Sequence, residues 1–587
     1  MAAIPLLAAI ILSPPSHAQQ SDSWAPSPRI EMLLDSGAYD LALRRINDIQ
    51  ADIEDMPEWL EWENLRFDLY RRREDWDQMS DRLLNLPGDV PEIQRQVLMT
   101  RAAELLLESG NGESVREILR ALIWRGSGDS RQLNYWRRLV VRSYLADDST
   151  RDAGIAMTLY DREYLPADAD WNYLFAQVLL RQGSAELAAQ RLGSAQEPAA
   201  RVLRLLSRLR AGVDTPQRVI ERSAELRSSL SGNASLVAAS WAATAEAALE
   251  AADLEARVDA LEQLFNGPGL AGEFSLFELD VADLWRAYEA LGTRLGNDRN
   301  MLFGDPEPWM AMARDLKGEG SALKARAINA AVARNSGSRS ERDRLHLALY
   351  ERLQAAELDT LAVRLYEADS EFPSVENVPD SVRHRIVSRA IEARNMKRAA
   401  RFARHLAAPG TEQTQVQWDL TRARLALYDG DFSQSESILR SLILSREEFE
   451  PETADRVLQP IFDLQSVGRG EAAYELLQYM YERVTTSKQK RELLLWLGDA
   501  LKTGGDYEAA AEHYLRSAHA AAGGQDQWGQ SARYHAAEAL AEARLLDDAR
   551  RIYEQLLNEV GGGTRAAALQ RRLQELWVKK QEQGRDR

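Results

Sequence analysis

Along almost the whole chain, apolar residues recur at every third or fourth position, in short runs separated by polar turns. That spacing is the period of an amphipathic helix. No alternation of Val, Ile and Thr is long enough to predict a strand. The stretch LKTGGDYEAAAEHYLRSA, Leu501 to Ala518, shows the unit: a Gly-Gly-Asp-Tyr turn set between two runs of good helix formers.

The unit recurs. Aligned on a small or apolar residue three positions after the turn, it falls on Ala42, Met79, Val115, Ala153 and Ala188. The same register then falls on Leu361, Ala399, Ser435, Ala473, Ala510 and Ala549. Successive gaps are 37, 36, 38 and 35, then 38, 36, 38, 37 and 39. Helix–turn–helix units at such a period stack into a solenoid, because no unit covers its own apolar face. The predicted fold is an all-α, right-handed superhelical solenoid of about 15 hairpins with a period of about 37.

Between Ala188 and Leu361 the register is weak. Hairpin signals appear near EAADLEARVDALEQLF and KGEGSALKARAINAAV, while NGPGLAGEF and LFGDPEPWM interrupt the pattern with glycine and proline. The expected organisation is a leader over 1–18, an N-terminal solenoid over 19–265 and an irregular stretch over 266–310. A C-terminal solenoid over 311–563, a capping helix over 564–580 and a disordered tail over 581–587 complete it. The irregular stretch reads either as a longer loop or bend, or as one degenerate hairpin with long connections. The cap, TRAAALQRRLQELWVKK, places Leu569, Leu573 and Trp577 at helical spacing.

The block from Arg491 to Gly524 resembles the tetratricopeptide repeat (TPR). Leu494, Leu497 and Gly498 stand in its first helix, Tyr507 at the turn, and Ala510 and Tyr514 in its second. Ala537, Leu546, Ala549 and Tyr553 repeat the pattern loosely in the next unit. Physically, Gly498 and Ala510 let two crossing backbones approach, and the tyrosines fill the space between hairpins. The resemblance implies a concave groove that binds protein segments. It places Glu492, Leu495, Asp499, Lys502 and Thr503 in that groove, followed by Ser531, Tyr534, Glu538, Ala541 and Glu542. Four carboxylates against one lysine imply a basic or mixed-charge ligand, with Tyr534 as a contact surface.

Composition narrows the function classes. Lys and Arg number 73 against 91 Asp and Glu, a net charge of −18 with a pI near 5.1. Phosphate binding needs a basic face, so a nucleic-acid partner is not expected. There is no cysteine, which excludes disulfides, thiolate metal sites and cysteine nucleophiles. The first residues, MAAIPLLAAIILSPPSHAQQ, carry an apolar run from Ala2 to Leu12, too short to span a bilayer and suited to a signal-peptide core. Pro14 and Pro15 break it, and Ser-His-Ala before Gln19 fits cleavage after Ala18. No Lys or Arg precedes the run, so either the true start lies upstream or the free amino terminus supplies the positive charge. The expectation is an exported, periplasmic bacterial protein with no membrane span. Its oligomeric state is not readable from the sequence.

Catalytic patterns are scarce. No phosphate-binding Gly-rich loop ending in Lys-Ser or Lys-Thr and no His-Glu-x-x-His occurs. His513, His519 and His535 cluster near the C-terminus, but their spacing matches no familiar ligand pair. Glu108-Ser109 has the Glu-Ser pairing of soluble lytic transglycosylases, yet it falls in a repeat turn without a lysozyme-like continuation. Trp59, Trp62, Trp76, Trp124, Trp136 and Trp171 crowd the N-terminal third, where packing between helices is the simplest use for them. The expected function is a non-catalytic scaffold or adaptor, without cofactor or metal, that joins other envelope proteins or peptide segments in assembly, secretion or TonB-type transport. A peptidoglycan-associated or lytic-transglycosylase-like protein and a small-ligand-binding solenoid are the alternatives.

Overall fold

The computed structural model describes residues 30, 33–34, 39–51, 54–88, 90–125, 128–230, 232–270, 272–296, 305–318, 320–367, 371–411, 413–520, 526–560 and 562–585. The leader expected over 1–18 lies outside them. The described residues form 29 α-helices and two short 3-10 helices, with no strand beyond one isolated bridge between Phe449 and Val484. The fold is an all-α array of helical hairpins, and 29 helices are close to the two per hairpin that about fifteen hairpins require. None of the described helices is long and apolar enough to cross a membrane.

The eleven aligned positions behave as one structural position. Ten of them, from Ala42 to Ala549, are the fourth residue of a helix, and Leu361 is the third residue of its own. All eleven have zero solvent exposure. A small or apolar side chain suits this position because the helix leaving the turn crosses its partner there. Val219, the fourth residue of Pro216–Ser229 and equally buried, belongs to the same set and was missed in the weak stretch.

The turns share a backbone solution. Gly505, two residues before Tyr507–His519, has φ of 85°, a left-handed conformation that closes the preceding helix. Glu74, Asp148, Ala252, Glu357, Arg394 and Arg544 hold the same place with φ between 53° and 63°. Without glycine this conformation costs roughly 1–2 kcal/mol per residue, so packing of the following helix must over-determine it. Side-chain caps help start the helices: Asp506 accepts from the Ala509 amide at 3.1 Å and Thr486 from the Gln489 amide at 3.2 Å.

The chain divides into two compact units, Met1–Val332 with Arg352–Leu365, and Ala333–Glu351 with Tyr366–Arg587. Within the first, Glu92–Glu108 packs on Ser130–Ala146 and Pro198–Arg210 on Ala234–Glu250, first helix on next first helix. Within the second, Gln415–Tyr428 packs on Pro451–Ser466 and Phe432–Leu444 on Gly470–Arg483. This is the neighbour-on-neighbour stacking of a repeat array.

The division falls near Val332 and Leu365, not within 266–310. The short helix Asp359–Arg364 belongs to the first unit because it is pinned there. Arg364 donates to the carbonyls of Phe265 and Gly267, both at 2.7 Å, and the Leu361 amide donates to Asn266 at 3.3 Å. The described residues of 266–310 are also more regular than the Gly and Pro content predicts. They include a 3-10 helix, Gly272–Phe277, and a 15-residue α-helix, Val281–Leu295, opened by a capping box between Asp280 and Asp283. The final helix, Thr564–Arg585, runs past Lys580, where the tail was expected to begin.

The core of the first unit contains a polar knot. Glu262, 1% exposed, accepts from Arg326 at both oxygens, one at 2.8 Å, and from the Tyr288 hydroxyl at 2.7 Å. Burial pushes the Tyr288 phenol well above its ordinary pKa.

The second unit buries a histidine. His346 lies 3.2 Å from the Tyr366 hydroxyl and edge-on to Phe372. Burial, then the Arg342 cation, lowers its pKa from 6.5 to about 4. The imidazole is therefore neutral when folded and must take up a proton on unfolding below its unfolded pKa. The second unit should hold its full stability above pH 6.5 and lose up to about 3 kcal/mol as pH falls from 6.5 to 4. Urea midpoints across that range measure it, and His346→Phe should flatten the loss. An equally steep loss in the variant contradicts the assignment.

Candidate functional site

The site lies in the second unit, where five helices follow one another: Ser487–Thr503, Tyr507–His519, Gln527–Glu542, Leu546–Val560 and Thr564–Arg585. Consecutive members pack together, which brings residues one repeat apart face to face. Lys502 and Glu538, 36 residues apart in sequence, meet at 3.2 Å. Gly498 permits this register: a Cβ there would stand 2.6 Å from the ring of the buried Tyr514.

A cleft of about 460 Å³ opens between these helices. Its charged rim alternates in sign, with Lys502, Arg572 and Lys579 against Glu538, Glu542 and Glu575. Tyr507, Ala541, Tyr553 and Leu576 supply the apolar part of the lining. The geometry suits an extended or helical segment carrying both charge signs, since each rim charge has an opposite neighbour with which a ligand would exchange.

Of the groove residues predicted from the repeat pattern, Lys502, Thr503, Glu538, Ala541 and Glu542 line this cleft. Tyr534 is half-buried beneath it, its ring 5.6 Å from that of Tyr553, and its hydroxyl accepts from Arg572 at 3.1 Å. Asp499 turns to the repeat interior and accepts from the Tyr514 hydroxyl at 2.5 Å. Leu495 packs against the hydrophobic core of these helices. Glu492 pairs with Lys488 at 3.7 Å within its own helix. Ser531 donates to the Gln527 carbonyl. The cleft thus gathers one half of the predicted set; Leu495, Asp499 and Tyr534 pack inward, and Glu492 and Ser531 are tied within their own helices.

The carboxylates are not bare. The final helix brings Arg572 to Glu538 at 2.8 Å, Lys579 to Glu542 at 3.2 Å, and Lys580 to Asp547. His535, together with Lys502 and Arg572, holds the Glu538 carboxyl down to about 2. The basic ligand expected from the sequence therefore has a counterpart inside the chain. Sequence reasoning missed this because it treated Thr564–Lys580 only as an apolar cap. In the structure Leu569 and Leu576 are buried with Ala566, whereas Trp577 is 65% exposed. The seam runs i, i+3, i+10 from Ala566, so the buried stripe passes Leu576 and leaves Trp577 beside it.

Nucleophile and metal candidates stay apart. Ser109 donates to the Leu106 carbonyl at 2.8 Å and Glu108 is an exposed helix terminus. His513 lies edge-on to Tyr474, while His535 faces Glu538 and the rings of Tyr514 and Tyr534. No group of three or more His, Asp or Glu among the described residues is placed to hold a metal ion. Of the tryptophans, Trp62, Trp136 and Trp171 are fully buried, Trp59 is nearly so, Trp76 is half-buried and Trp124 is exposed.

No family model matches the chain, and no curated protein is significantly similar to it. Among solved structures it is similar to a chain of the crystal structure of the APC/C hetero-tetramer Cut9-Hcn1. The identity is 13%, over 78% of this chain and 92% of that one, with a TM-score of 0.19. A superposition that loose carries no argument, so the fold assignment rests on the helix register described above.

Proposed function

We propose that this protein is a non-catalytic scaffold of the bacterial periplasm that binds a mixed-charge protein segment in the cleft beside Lys502, Glu538 and Glu542, as part of a cell-envelope complex for assembly, secretion or TonB-type transport. The observation that carries the reading is the cleft itself: about 460 Å³, open, with alternating charge at its rim and aromatic and aliphatic side chains in its lining. Helical-hairpin arrays present such surfaces to peptides because side chains from successive helices line up along one face. The compartment rests on the apolar leader from Ala2 to Leu12 and on the absence of cysteine.

The test fills the cleft without breaking an ion pair. Thr503→Arg with Ala541→Arg is introduced into the tagged full chain, and envelope proteins are recovered after in-cell crosslinking. A stoichiometric partner of the wild-type protein should fall by about tenfold in the double variant, the effect of losing a rim and core contact together. Recovery at the wild-type level contradicts the cleft assignment. Glu538→Lys with Glu542→Lys, which reverses the rim charge, should act in the same direction.

A further inference from the structure

The first unit carries a second charged surface, of predominantly one sign. Between Glu197 and Ser229 there are seven arginines and only four acidic residues, in a protein whose net charge is −18. Five of the arginines belong to one cluster on the two helices Pro198–Arg210 and Pro216–Ser229. Its centre is Asp214, whose side chain is fully buried in the connection between them. Arg208 grips that carboxylate with two hydrogen bonds, at 2.7 and 3.0 Å, and Arg222 adds a third at 2.8 Å. Arg218 approaches it at 3.9 Å.

One carboxylate thus faces three guanidiniums, and its lone pairs are already engaged. Arg204 stands beside them, donating only to the backbone carbonyls of Gly193 and Ala195 at 2.9 and 3.1 Å. Burial, and then the like charges of Arg201, Arg208 and Arg222, push the Arg204 guanidinium below its ordinary pKa. Among the described residues, the Arg201 side chain has no hydrogen bond or ion pair. The remaining acids of the segment do not answer these charges: Glu197, Glu221 and Glu225 are exposed and make no ion pair among the described residues. Arg210 and Arg227 are engaged elsewhere, with Glu246 and with Thr244.

Such a cluster has an excess of fork-shaped donors turned to solvent. Arg218 keeps 58% of its side chain exposed and Arg222 37%. Guanidinium forks match carboxylate geometry, and Asp214 shows that match within the chain itself. We propose that the arginine face formed by Arg201, Arg204, Arg218 and Arg222 is a docking surface for an acidic protein segment, which presents to it the carboxylates that the fold leaves out. Two helices and several guanidiniums ask for several carboxylates in a row. This surface is independent of the cleft in the second unit. Together the two would let the scaffold hold an acidic partner as well as a mixed-charge one.

The probe is a fluorescein-labelled hexaglutamate peptide, read by anisotropy against the full chain. The overall charge of −18 repels such a peptide, so binding reports a local surface. Wild-type protein should bind it, with affinity falling as salt rises. Arg201→Ala with Arg218→Ala should weaken binding by about tenfold, because both lie outside the Arg208–Asp214 contact that holds the turn. A thermal melt superimposable on wild type separates lost docking from lost folding. Unchanged affinity in the double variant, or no wild-type binding at low salt, overturns the proposal. Should inorganic phosphate bind the face while hexaglutamate does not, the acidic-segment assignment also fails.

Discussion

Replacing Glu262 by alanine is expected to destabilise the first unit by about 3–5 kcal/mol, the cost of stranding a buried charge. Arg326 is 6% exposed and its side chain meets Glu262 through two hydrogen bonds, so the variant leaves a guanidinium buried with its partner gone. The Tyr288 hydroxyl, fully buried, loses its acceptor as well. Glu262→Gln should cost less, because the amide oxygen still accepts one hydrogen bond. The double replacement Glu262→Leu with Arg326→Met should recover most of the loss, since a well-packed apolar pair avoids the desolvation that the ion pair bears. Urea unfolding followed through the neighbouring buried Trp285 reads all three variants. A single-variant loss under about 1 kcal/mol would show that the knot is not closed as described.

The second large effect is steric. Gly498→Val is expected to destabilise the second unit by about 2–3 kcal/mol, in the upper range for overpacking. The new Cβ would fall 2.6 to 3.0 Å from three ring atoms of Tyr514. That ring has no exposure and its hydroxyl is tied to Asp499, so it has nowhere to move. Gly498→Ala should cost less, because alanine recovers about 0.5–1 kcal/mol of helix propensity against the same contact. Replacing Gly430, whose Cβ would meet nothing within 4 Å, tests the other role of glycine, since φ there is 78°. If Gly498→Val unfolds at the wild-type urea concentration, the close crossing of the two helices is wrong.

The parts of the fold that sequence made legible are those set by local period. A small or apolar residue three positions past a turn is easy to see, and every such position from Ala42 to Ala549 proved fully buried. Val219 escaped because its turn, AGVDTPQ, carries a proline and because Val219 itself follows Ala188 by only 31 residues. The turns at Glu74, Asp148, Ala252, Glu357, Arg394 and Arg544 lack the glycine that marks the others, yet they use the same left-handed backbone. The stretch over 266–310 looked broken because Pro and Gly are strong local signals. The helix Val281–Leu295 forms there nonetheless, since Leu284, Trp285, Tyr288 and Leu291 are buried against its neighbours.

The candidate site was half legible for a related reason. The repeat resemblance implied that Lys502, Glu538 and Glu542 share one groove. What it left out is that ion pairs in an array link residues one repeat apart. Arg491 reaches Asp526, Arg440 reaches Glu475 and Lys579 reaches Glu542, at separations of 35, 35 and 37 residues. Each exposed pair contributes at most about 1 kcal/mol, but together they decide which groove charges remain for a ligand. In a chain with 164 charged residues many pairs satisfy that spacing, so the contacts emerge only from the fold. The arginine cluster around Asp214 was hidden in the same way, because its members come from two helices and the turn between them.

The most direct measurement for the scaffold reading is site-specific photocrosslinking in cells. A photoreactive residue is placed at Ala541, in the cleft lining, and separately at Leu187, an exposed position in the first unit. The account predicts one discrete protein adduct from Ala541 that disappears when Glu538→Lys and Glu542→Lys are added, and no such adduct from Leu187. No adduct at Ala541, or one indifferent to the reversed charges, would contradict a protein-binding cleft at this end of the chain.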